Sequence, residues 1–472
     1  TRACRSSVRP DFTQRPASMA QWDYIVVGAG SAGCVLANRL SASGKNRVLL
    51  LEAGPPDRSP LITMPAGFYK LLTSKRYNWG FETEPEPGTG NRAIATPRGK
   101  TLGGSSSING VIYVRGQPLD YDHWAQLGNR GWSYESVLPY FRRAERFEHG
   151  GNAVRGDAGP IGVSVSDAPH ELLSACLDAA IHAGYRENAD YNSGDQEGFG
   201  YYQLTAWKGR RQSTAKAYLH PVRGRDNLAV HTESQATRIL FEDGRACGVA
   251  YRRGDATVEA RCNAEVILAA GAVQSPQLLE LSGIGRAEIL RELGIDVRHE
   301  LAGVGENYRD HYGTRMQWRV TKPITLNEQA RGLSLVRELA RYALFGRGIL
   351  TYGAGAVFGF VKTRPELETP DVQFHLAHAS YGSAATRVLE KEPGMTVAVC
   401  QLRPESQGSI HIRSADPFVP PAIRGNFLSA PGDLETLVAG MRVARRIVEA
   451  PPLDDYRAFE LRPGPGCSSD AD

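Results

Sequence analysis

Near the N-terminus, two short apolar runs enclose a segment in which apolar residues recur with helical spacing. Residues 22–27 end in Tyr-Ile-Val-Val, which is typical of a buried parallel strand. Helical spacing follows at 32–40, and residues 47–51 read Arg-Val-Leu-Leu-Leu. This order predicts a strand–helix–strand unit whose two strands lie parallel.

Further helical and strand-like patterns follow along the rest of the chain. Helical spacing recurs at 134–147, 171–183, 275–281, 287–293, 332–344 and 433–448. Strand-like runs fall at 228–231, 237–241, 248–251, 257–260, 264–268, 357–361, 372–376 and 396–402. Residues 53–97 are rich in proline and glycine and are expected to cross the surface.

A glycine fingerprint joins the first predicted strand to the first predicted helix. Gly28 permits a tight turn, Gly30 lets a pyrophosphate approach the backbone, and Gly33 allows the helix to pack closely on the strand. Ser31 and Ala32 open the helix, whose N-terminus carries a partial positive charge. Strand, turn and helix together predict an adenine dinucleotide site.

Two further segments are expected to approach the same ligand. Glu52, followed by Ala53, ends the second strand where a carboxylate can bind ribose hydroxyls. The apolar run that precedes Ala270 and Gly271 ends in residues without bulk, which suits a close approach of the backbone.

A second glycine-rich segment, residues 97–110, has the sequence PRGKTLGGSSSING. Its paired glycines, Gly103 and Gly104, let the backbone approach a flat or charged ligand. The hydroxyls and the carboxamide that follow add donors and acceptors. This segment is more elaborate than a surface turn requires. Together with the fingerprint it indicates a ligand longer than a nicotinamide dinucleotide site usually contacts, and FAD is the leading candidate.

Composition excludes few classes of protein. The 472 residues carry 55 basic and 51 acidic side chains, a net charge of +4 that gives no sign of nucleic-acid binding. The seven cysteines form no CxxC pair and are interpreted as reduced, mostly buried thiols. No apolar run approaches the ~20 residues that a membrane span needs. No metal site is predicted.

Four blocks of the sequence resemble the glucose–methanol–choline (GMC) oxidoreductases, a family of FAD enzymes that oxidise alcohols. They comprise 28–33 with 51–54, then 99–122, 271–285 and 303–311. The resemblance extends from residue 22 to about residue 470. It implies an α/β protein in which a Rossmann-like FAD-binding domain is interleaved with an α+β substrate-binding domain, whose antiparallel sheet is flanked by helices.

The resemblance also implies domain limits. The FAD-binding domain is predicted at 19–160 and 225–314, and the substrate-binding domain at 161–224 and 315–460. The arginine-containing residues 1–18 are expected to be a disordered or non-native leader, and 461–472 a truncated tail.

The cofactor-binding residues expected from the motifs and the resemblance fall in five groups along the chain. They are Gly28, Gly30, Ser31, Ala32, Gly33, Glu52, Ala53, Arg98, Thr101, Gly103, Gly104, Ser105, Asn109, Gly110, Val111, Ile112, Ala236, Ala270 and Gly271. Some family members bond the flavin covalently through a histidine at the position of Ile108. Isoleucine cannot do so, and FAD is therefore predicted to be held non-covalently.

The resemblance supplies no catalytic residue within this chain. The family's histidine and its histidine or asparagine partner are expected beyond Asp472, so this chain is expected to turn over little or nothing. His220 is interpreted as a surface histidine at a helix end, and His311 as a structural hydrogen-bonding residue. His375 is interpreted as a core histidine rather than a residue of the substrate cavity.

The predicted reaction is oxidation of a primary alcohol, choline-like or aliphatic, with electrons passed to a quinone or another acceptor. The alternatives are an oxygen-using oxidase, an inactive flavin-binding remnant, and a lyase or fatty-acid photodecarboxylase on the same fold. A resemblance to the decarboxylase would require a cysteine before Arg403, where Leu402 stands. A cytoplasmic location is expected, with or without peripheral contact at the inner membrane.

A choline-like substrate calls for an aromatic cage. Candidate cage residues are Trp79, Phe81, Trp207, Tyr352 and Phe358, although most are expected to be core aromatics.

Overall fold

The computed structural model describes residues 22–165, 170–382 and 388–470, and the predicted leader lies outside these ranges. The helices are α1 Ser31–Leu40, α2 Pro60–Thr63, α3 Phe68–Leu71, α4 Pro118–Gln126, α5 Tyr134–Ala144, α6 Glu171–His182, α7 Gly271–Leu281, α8 Ala287–Glu292, α9 Leu326–Gln329, α10 Gly332–Phe345 and α11 Pro431–Val448. Shorter 3₁₀ and π turns lie at Pro65–Gly67, Pro87–Thr89, Gly104–Ser107, Ala215–Leu219, His220–Val222, Ile349–Thr351 and Pro451–Leu453.

The strands of the described residues number twenty-three, and many of them are short. They are β1 Trp22–Val27, β2 Val48–Leu51, β3 Phe81–Glu82, β4 Ala95–Thr96, β5 Glu145–Phe147, β6 Ile161–Val165, β7 Gly198–Tyr201, β8 Gln203–Leu204, β9 Ala206–Trp207, β10 Arg210–Arg211, β11 Leu228–His231, β12 Ser234–Glu242, β13 Arg245–Arg253, β14 Ala256–Leu268, β15 Ile284–Gly285, β16 His299–Glu300, β17 Gly313–Val320, β18 Val357–Val361, β19 Val372–Ala377, β20 Gly394–Gln401, β21 Ser409–His411, β22 Ala422–Arg424 and β23 Arg457–Arg462.

The first large sheet has the strand order β11-β2-β1-β14-β13-β12. Strands β11, β2, β1 and the end of β14 pair in parallel, with Val26 opposite both Leu50 and Ile267. The earlier part of β14 pairs antiparallel with β13, which forms a hairpin with β12. This sheet confirms the predicted strand–helix–strand unit and the Rossmann-like fold.

Helices cover both faces of the first sheet. Val26 and Leu50 pack with Cys34 of α1, whereas Ile25 and Leu49 belong to the cluster on the other face, which contains residues of α7. Because successive side chains of a strand point to opposite faces, the apolar runs of β1 and β2 serve both clusters. Because β1 and the end of β14 are parallel neighbours, the turns that lead from them into α1 and α7 come together at one edge of the sheet.

The second large sheet is antiparallel, with the order β23-β17-β20-β19-β18-β7. Helices α6 and α11 pack on one face, where Val372, Phe374 and Val399 join the largest apolar cluster. Gln373 and His375 alternate with these residues and point to the other face. This confirms the expected antiparallel sheet flanked by helices; the exact domain limits remain a prediction.

Several predicted elements differ from the structure. Residues 53–97 do not only cross the surface: Ile62 and Leu71 are buried and pack with Ile108. The helix predicted at 134–147 ends at Ala144, where the chain continues as a strand. The two strands predicted at 257–260 and 264–268 are one long strand, because its neighbours pair with it in succession.

Candidate functional site

A cavity of about 510 Å³, here called the smaller cavity, lies where β1 meets α1 and β14 meets α7. Most of the predicted cofactor residues line it. They are Gly28, Gly30, Ser31, Ala32, Glu52, Ala53, Arg98, Gly104, Ser105, Ala236, Ala270 and Gly271. Trp79, Gln235 and Pro417 also line it. Sequence reasoning missed Gln235 and Pro417 because no local pattern marks them, and it considered Trp79 only for an aromatic cage.

The three fingerprint glycines have different physical roles. Gly28 has φ +98°, and a Cβ there would lie 2.6 Å from the Ala269 carbonyl oxygen. A Cβ on Gly33 would lie 1.8 Å from the Gly28 carbonyl oxygen. At Gly30, the nearest protein atom would be 4.0 Å away. Two glycines therefore close the turn, whereas the third keeps clear a space that belongs to the smaller cavity.

Two helix N-termini face the smaller cavity. Helix α1 begins after Gly30 and α7 begins after Ala270, and neither N-terminus is capped by a side chain. Ser31 and Ala32 are exposed at the first terminus, as is Gly271 at the second. Uncapped N–H groups and the partial positive charge of a helix N-terminus favour an anion such as a phosphate.

Glu52 places one buried carboxylate in the wall of the smaller cavity. Its Oε2 accepts a hydrogen bond from the Ala29 amide at 3.0 Å, and its Oε1 accepts one from the Gly54 amide at 2.9 Å. Burial raises the pKa of Glu52 to about 7, although the two amide donors oppose that shift. Each oxygen retains a lone pair with which to accept from a ligand hydroxyl.

The glycine-rich segment 97–110 packs directly on the fingerprint turn. The Gly103 amide donates to the Ala29 carbonyl at 2.8 Å, and a Cβ on Gly104 would lie 2.7 Å from the Cα of Gly30. Thr101 donates its hydroxyl to the Pro55 carbonyl at 2.7 Å. The backbone that forms the wall of the smaller cavity is thus held by the packing of Gly33, Thr101 and Gly103. None of these three residues lines the cavity itself.

Arg211 is a residue that sequence reasoning missed, and it ties the glycine-rich segment in place. The side chain is buried, and its Nη1 donates to both the backbone and side-chain oxygens of Asn109, each at 2.7 Å. Its other acceptors are the carbonyls of Ser106, Ile62 and Pro65. Burial lowers the pKa of Arg211 to about 10, so it stays charged at neutral pH.

Beyond Asn109, the backbone is held in a strained conformation. Val111 is buried at φ +57°, which is unfavourable for a β-branched residue. Its carbonyl accepts hydrogen bonds from the amide and the hydroxyl of Thr205 at 2.7 and 3.1 Å. The Gly110 carbonyl accepts from the Ala354 amide at 3.0 Å. Asn109, Gly110 and Val111 line neither described cavity.

A second cavity of about 1550 Å³, here called the larger cavity, extends from this segment to the open face of the second sheet. Ile112 lines it, and Arg98 lines both cavities. Its wall is rich in arginine, and Asp310 and Asp120 there are paired with Arg98 and Arg403 at 3.6 and 2.9 Å. Side chains far apart in sequence meet here, which no local pattern predicts.

His375 lines the larger cavity, where the sequence favoured a core position. The Tyr202 hydroxyl lies 2.8 Å from its Nδ1. Burial lowers the pKa of His375 to about 4, so the imidazole is neutral at physiological pH. Among the described residues its Nε2 has no hydrogen-bond partner, so a neutral group is available to a ligand hydroxyl.

The other histidines follow the sequence interpretation more closely. His311 lines the larger cavity but places Nε2 3.1 Å from the Leu402 carbonyl. His220 lies partly exposed after a π turn, with Nε2 3.1 Å from Asp57.

The candidate aromatic cage does not form around the larger cavity. Trp79 and Phe81 stack on one another, and Trp207 lies under the Arg146 guanidinium. Phe358 and Tyr352 are buried elsewhere, as expected of core aromatics. None of the five lines the larger cavity.

Comparison with known proteins identifies the family. Sequence models of the GMC oxidoreductases match residues 22–313 and 404–471, and the chain belongs to this family. An oxygen-dependent choline dehydrogenase of Photobacterium profundum is 43% identical over 95% of this chain and 79% of the relative. An alcohol dehydrogenase [acceptor] of Pseudomonas putida is 41% identical over 95% of this chain and 82% of the relative.

A solved structure supports the same assignment. Pyridoxine 4-oxidase from Mesorbium loti superposes with a TM-score of 0.86 and 27% identity, over 96% of this chain and 85% of that protein. FAD is the cofactor expected of the family. The clearance at Gly30, the two uncapped helix N-termini and the Glu52 carboxylate fit the pyrophosphate and ribose of a dinucleotide.

Within the described residues, no helix combines the length and apolar character needed to cross a membrane.

Proposed function

We propose that this protein oxidises a primary alcohol to an aldehyde with FAD held non-covalently in the smaller cavity. Relatives named choline dehydrogenase and alcohol dehydrogenase support this reaction. When bound, FAD supplies the acceptor for the hydride that leaves the alcohol carbon. Ile108 carries no nucleophile and is buried with Ile62 and Leu71, which supports non-covalent binding.

The observation that carries the proposal is the junction of the two cavities. Arg98 lines both, the smaller cavity has the features of a dinucleotide site, and the larger one has room for a substrate. In this arrangement Glu52 binds the ribose and the N-termini of α1 and α7 bind the phosphates. His375, neutral and held by Tyr202, accepts a hydrogen bond from the substrate hydroxyl.

The wall of the larger cavity favours an uncharged aliphatic alcohol over choline. Arginine side chains outnumber carboxylates in this wall, and Asp120 and Asp310 are already paired with arginines. A quaternary ammonium would find aromatic side chains in this wall, at Tyr308, Tyr312, Phe360 and Phe427, but also an excess of arginine that repels its positive charge.

Anaerobic mixing of the FAD-loaded protein with alcohols tests the reaction. The sequence interpretation expected little turnover from this chain. Because His375 offers a neutral acceptor for the substrate hydroxyl in the larger cavity, we instead expect aliphatic primary alcohols to bleach the visible flavin absorbance, and choline to do so more slowly. Bound FAD that stays oxidised with every alcohol contradicts the proposal and favours a flavin-binding protein without this activity. A carboxylic acid that loses CO₂ under light favours the photodecarboxylase alternative.

The electron acceptor is proposed to be a lipid-soluble quinone or a similar molecule. The name of the Pseudomonas relative supports an acceptor other than oxygen, whereas the Photobacterium relative is named oxygen-dependent. Re-oxidation of the bleached flavin by a quinone analogue and by oxygen separates the two. Faster re-oxidation by oxygen would identify an oxidase. A quinone acceptor requires the protein to reach a membrane surface.

A further inference from the structure

Helix α10 exposes apolar side chains to an unusual degree. Leu333 is 88% exposed, Leu344 74% and Phe345 70%, the three highest values among the large apolar residues of the described chain. Val336 on the same helix is 61% exposed. Single exposed apolar residues are normal on protein surfaces, but a cluster on one helix indicates an interaction surface.

The exposed apolar residues form a stripe along one side of α10. At 3.6 residues per turn, Leu333, Val336, Ala340 and Leu344 fall within an arc of about 80°. The one buried residue of the helix is Glu338, whose Oε2 accepts a hydrogen bond from the Ile349 amide at 3.1 Å. The helix therefore packs on the protein through Glu338, with Leu335 and Tyr342 half-buried on the same side, and turns its apolar stripe outward.

Positive charges border the apolar stripe. The Arg337 and Arg341 side chains are 75% and 56% exposed, and by helical geometry they lie along one edge of it. The hairpin that carries exposed Lys208 and Arg210 packs against the C-terminal end of the helix. Arg337 and Arg341 both approach the largely buried Glu338 carboxylate, at 3.9 and 3.7 Å. With Lys208 and Arg210 alongside, the exposed surface still combines apolar side chains with an excess of positive charge. This combination is complementary to a bilayer of anionic lipids.

We propose that the exposed face of α10 docks the protein on an anionic membrane surface. Leu333, Val336 and Leu344 enter the interfacial layer, while Arg337 and Arg341 contact lipid phosphates. The inference rests on the proposed function, because a lipid-soluble quinone acceptor is dissolved in the bilayer and the protein must reach the membrane surface to use it. The chain that leaves α10 reaches the glycine-rich segment within ten residues, where the Ala354 amide donates to the Gly110 carbonyl at 3.0 Å.

Vesicle sedimentation tests the docking surface with the purified full chain. We expect binding to vesicles of phosphatidylcholine mixed with phosphatidylglycerol, weaker binding to phosphatidylcholine alone, and a loss of affinity as salt rises. Leu333→Glu with Leu344→Glu should weaken binding by about tenfold or more. Arg337→Gln with Arg341→Gln should remove much of the salt dependence.

A matched control is available at an exposed apolar residue on β23. Phe459 is 59% exposed, and Phe459→Glu should leave vesicle binding unchanged. Thermal unfolding of each variant, followed by circular dichroism, verifies that the α10 substitutions leave the fold intact.

Three results would overturn the proposal. One is equal vesicle binding by the wild-type protein and the Leu333→Glu, Leu344→Glu variant. Another is equal binding of the wild-type protein to vesicles with and without phosphatidylglycerol. The third is a dimer that this variant converts to monomer, with vesicle binding unchanged, which would assign the stripe to a second copy of the chain. Vesicle binding requires no flavin reduction, so its outcome is separate from that of the alcohol assay.

Discussion

The walls of the two cavities are built from different parts of the polypeptide. Backbone and small residues form much of the smaller cavity, with two helix N-termini and one buried carboxylate. Long charged and aromatic side chains, brought together from distant segments, form much of the larger one. A site made of backbone fails when a methyl group is added, whereas a site made of side chains can change its chemistry while the fold persists. The predictions below test this difference.

The largest effect is expected at Gly33, which closes the fingerprint turn. Gly33→Ala places a Cβ 1.8 Å from the Gly28 carbonyl oxygen, and neither backbone segment can move without disrupting the sheet. We expect a loss of about 4 kcal/mol or more in the free energy of unfolding, measured by urea denaturation. A variant of near wild-type stability would show that the turn is more adaptable than the structure indicates.

Arg211 extends the comparison between backbone and side-chain construction, because its side chain holds the backbone of the glycine-rich segment. Arg211→Met leaves the carbonyls of Asn109, Ser106 and Ile62 without their donor. The expected loss is about 2–3 kcal/mol in the free energy of unfolding, together with weaker FAD binding. Arg210→Met is the matched control, since Arg210 is exposed, and it should change stability by less than about 0.5 kcal/mol.

His375 tests the larger cavity through the pH dependence of stability. Its pKa is lowered by burial to about 4, so the unfolded chain binds more protons between that value and about pH 6.5. Stability should therefore fall as the pH drops through this range. His375→Gln should reduce the slope by up to about 1.4 kcal/mol per pH unit, without weakening FAD binding. An unchanged slope would mean that this imidazole is solvated.

The contribution of His411 to stability should show the opposite pH dependence to that of His375. Its effect is expected to be the smallest of the four. His411 lies between Glu280 and Glu306, at 2.7 and 3.2 Å, and the hydrogen bond that its Nδ1 donates to the Glu280 carboxylate raises its pKa above the ordinary value. Its stabilising contribution is complete below about pH 6.5 and is lost as the pH rises through the raised pKa. His411→Gln should lower Tm by about 1–2 °C at pH 6 and less at pH 9. Equal effects at both pH values would exclude this charge interaction.

The smaller cavity could be predicted in advance to a large extent, and the reason is physical. Gly28, Gly30 and Gly33 act within one turn, so their spacing in sequence is their spacing in space. Glu52 follows because parallel strands end at the same edge of a sheet. The prediction of Ala236 as a cofactor-binding residue depended on the family resemblance, because no local pattern marks it.

The larger cavity and part of the second sheet could not be predicted in this way. His375 lies against Tyr202 only because β19 and β18 pair and carry it past the β7–β8 connection. Strand β17 contains four polar or charged residues among its apolar ones, at Thr314, Arg315, Gln317 and Arg319, and gave no clear pattern. Arg211 and Arg210 are adjacent in sequence, and only tertiary packing distinguishes the buried Arg211 from the exposed Arg210.

Titration of FAD into the apo-protein and into Gly30→Ala tests the central claim most directly. The nearest protein atom to the new methyl group would be 4.0 Å away and Gly30 has φ −75°, so the variant should keep its stability within about 0.5 kcal/mol. The account predicts saturable one-to-one binding by the wild-type protein and affinity about tenfold or more lower for the variant. Equal affinities would contradict the placement of the pyrophosphate at this turn.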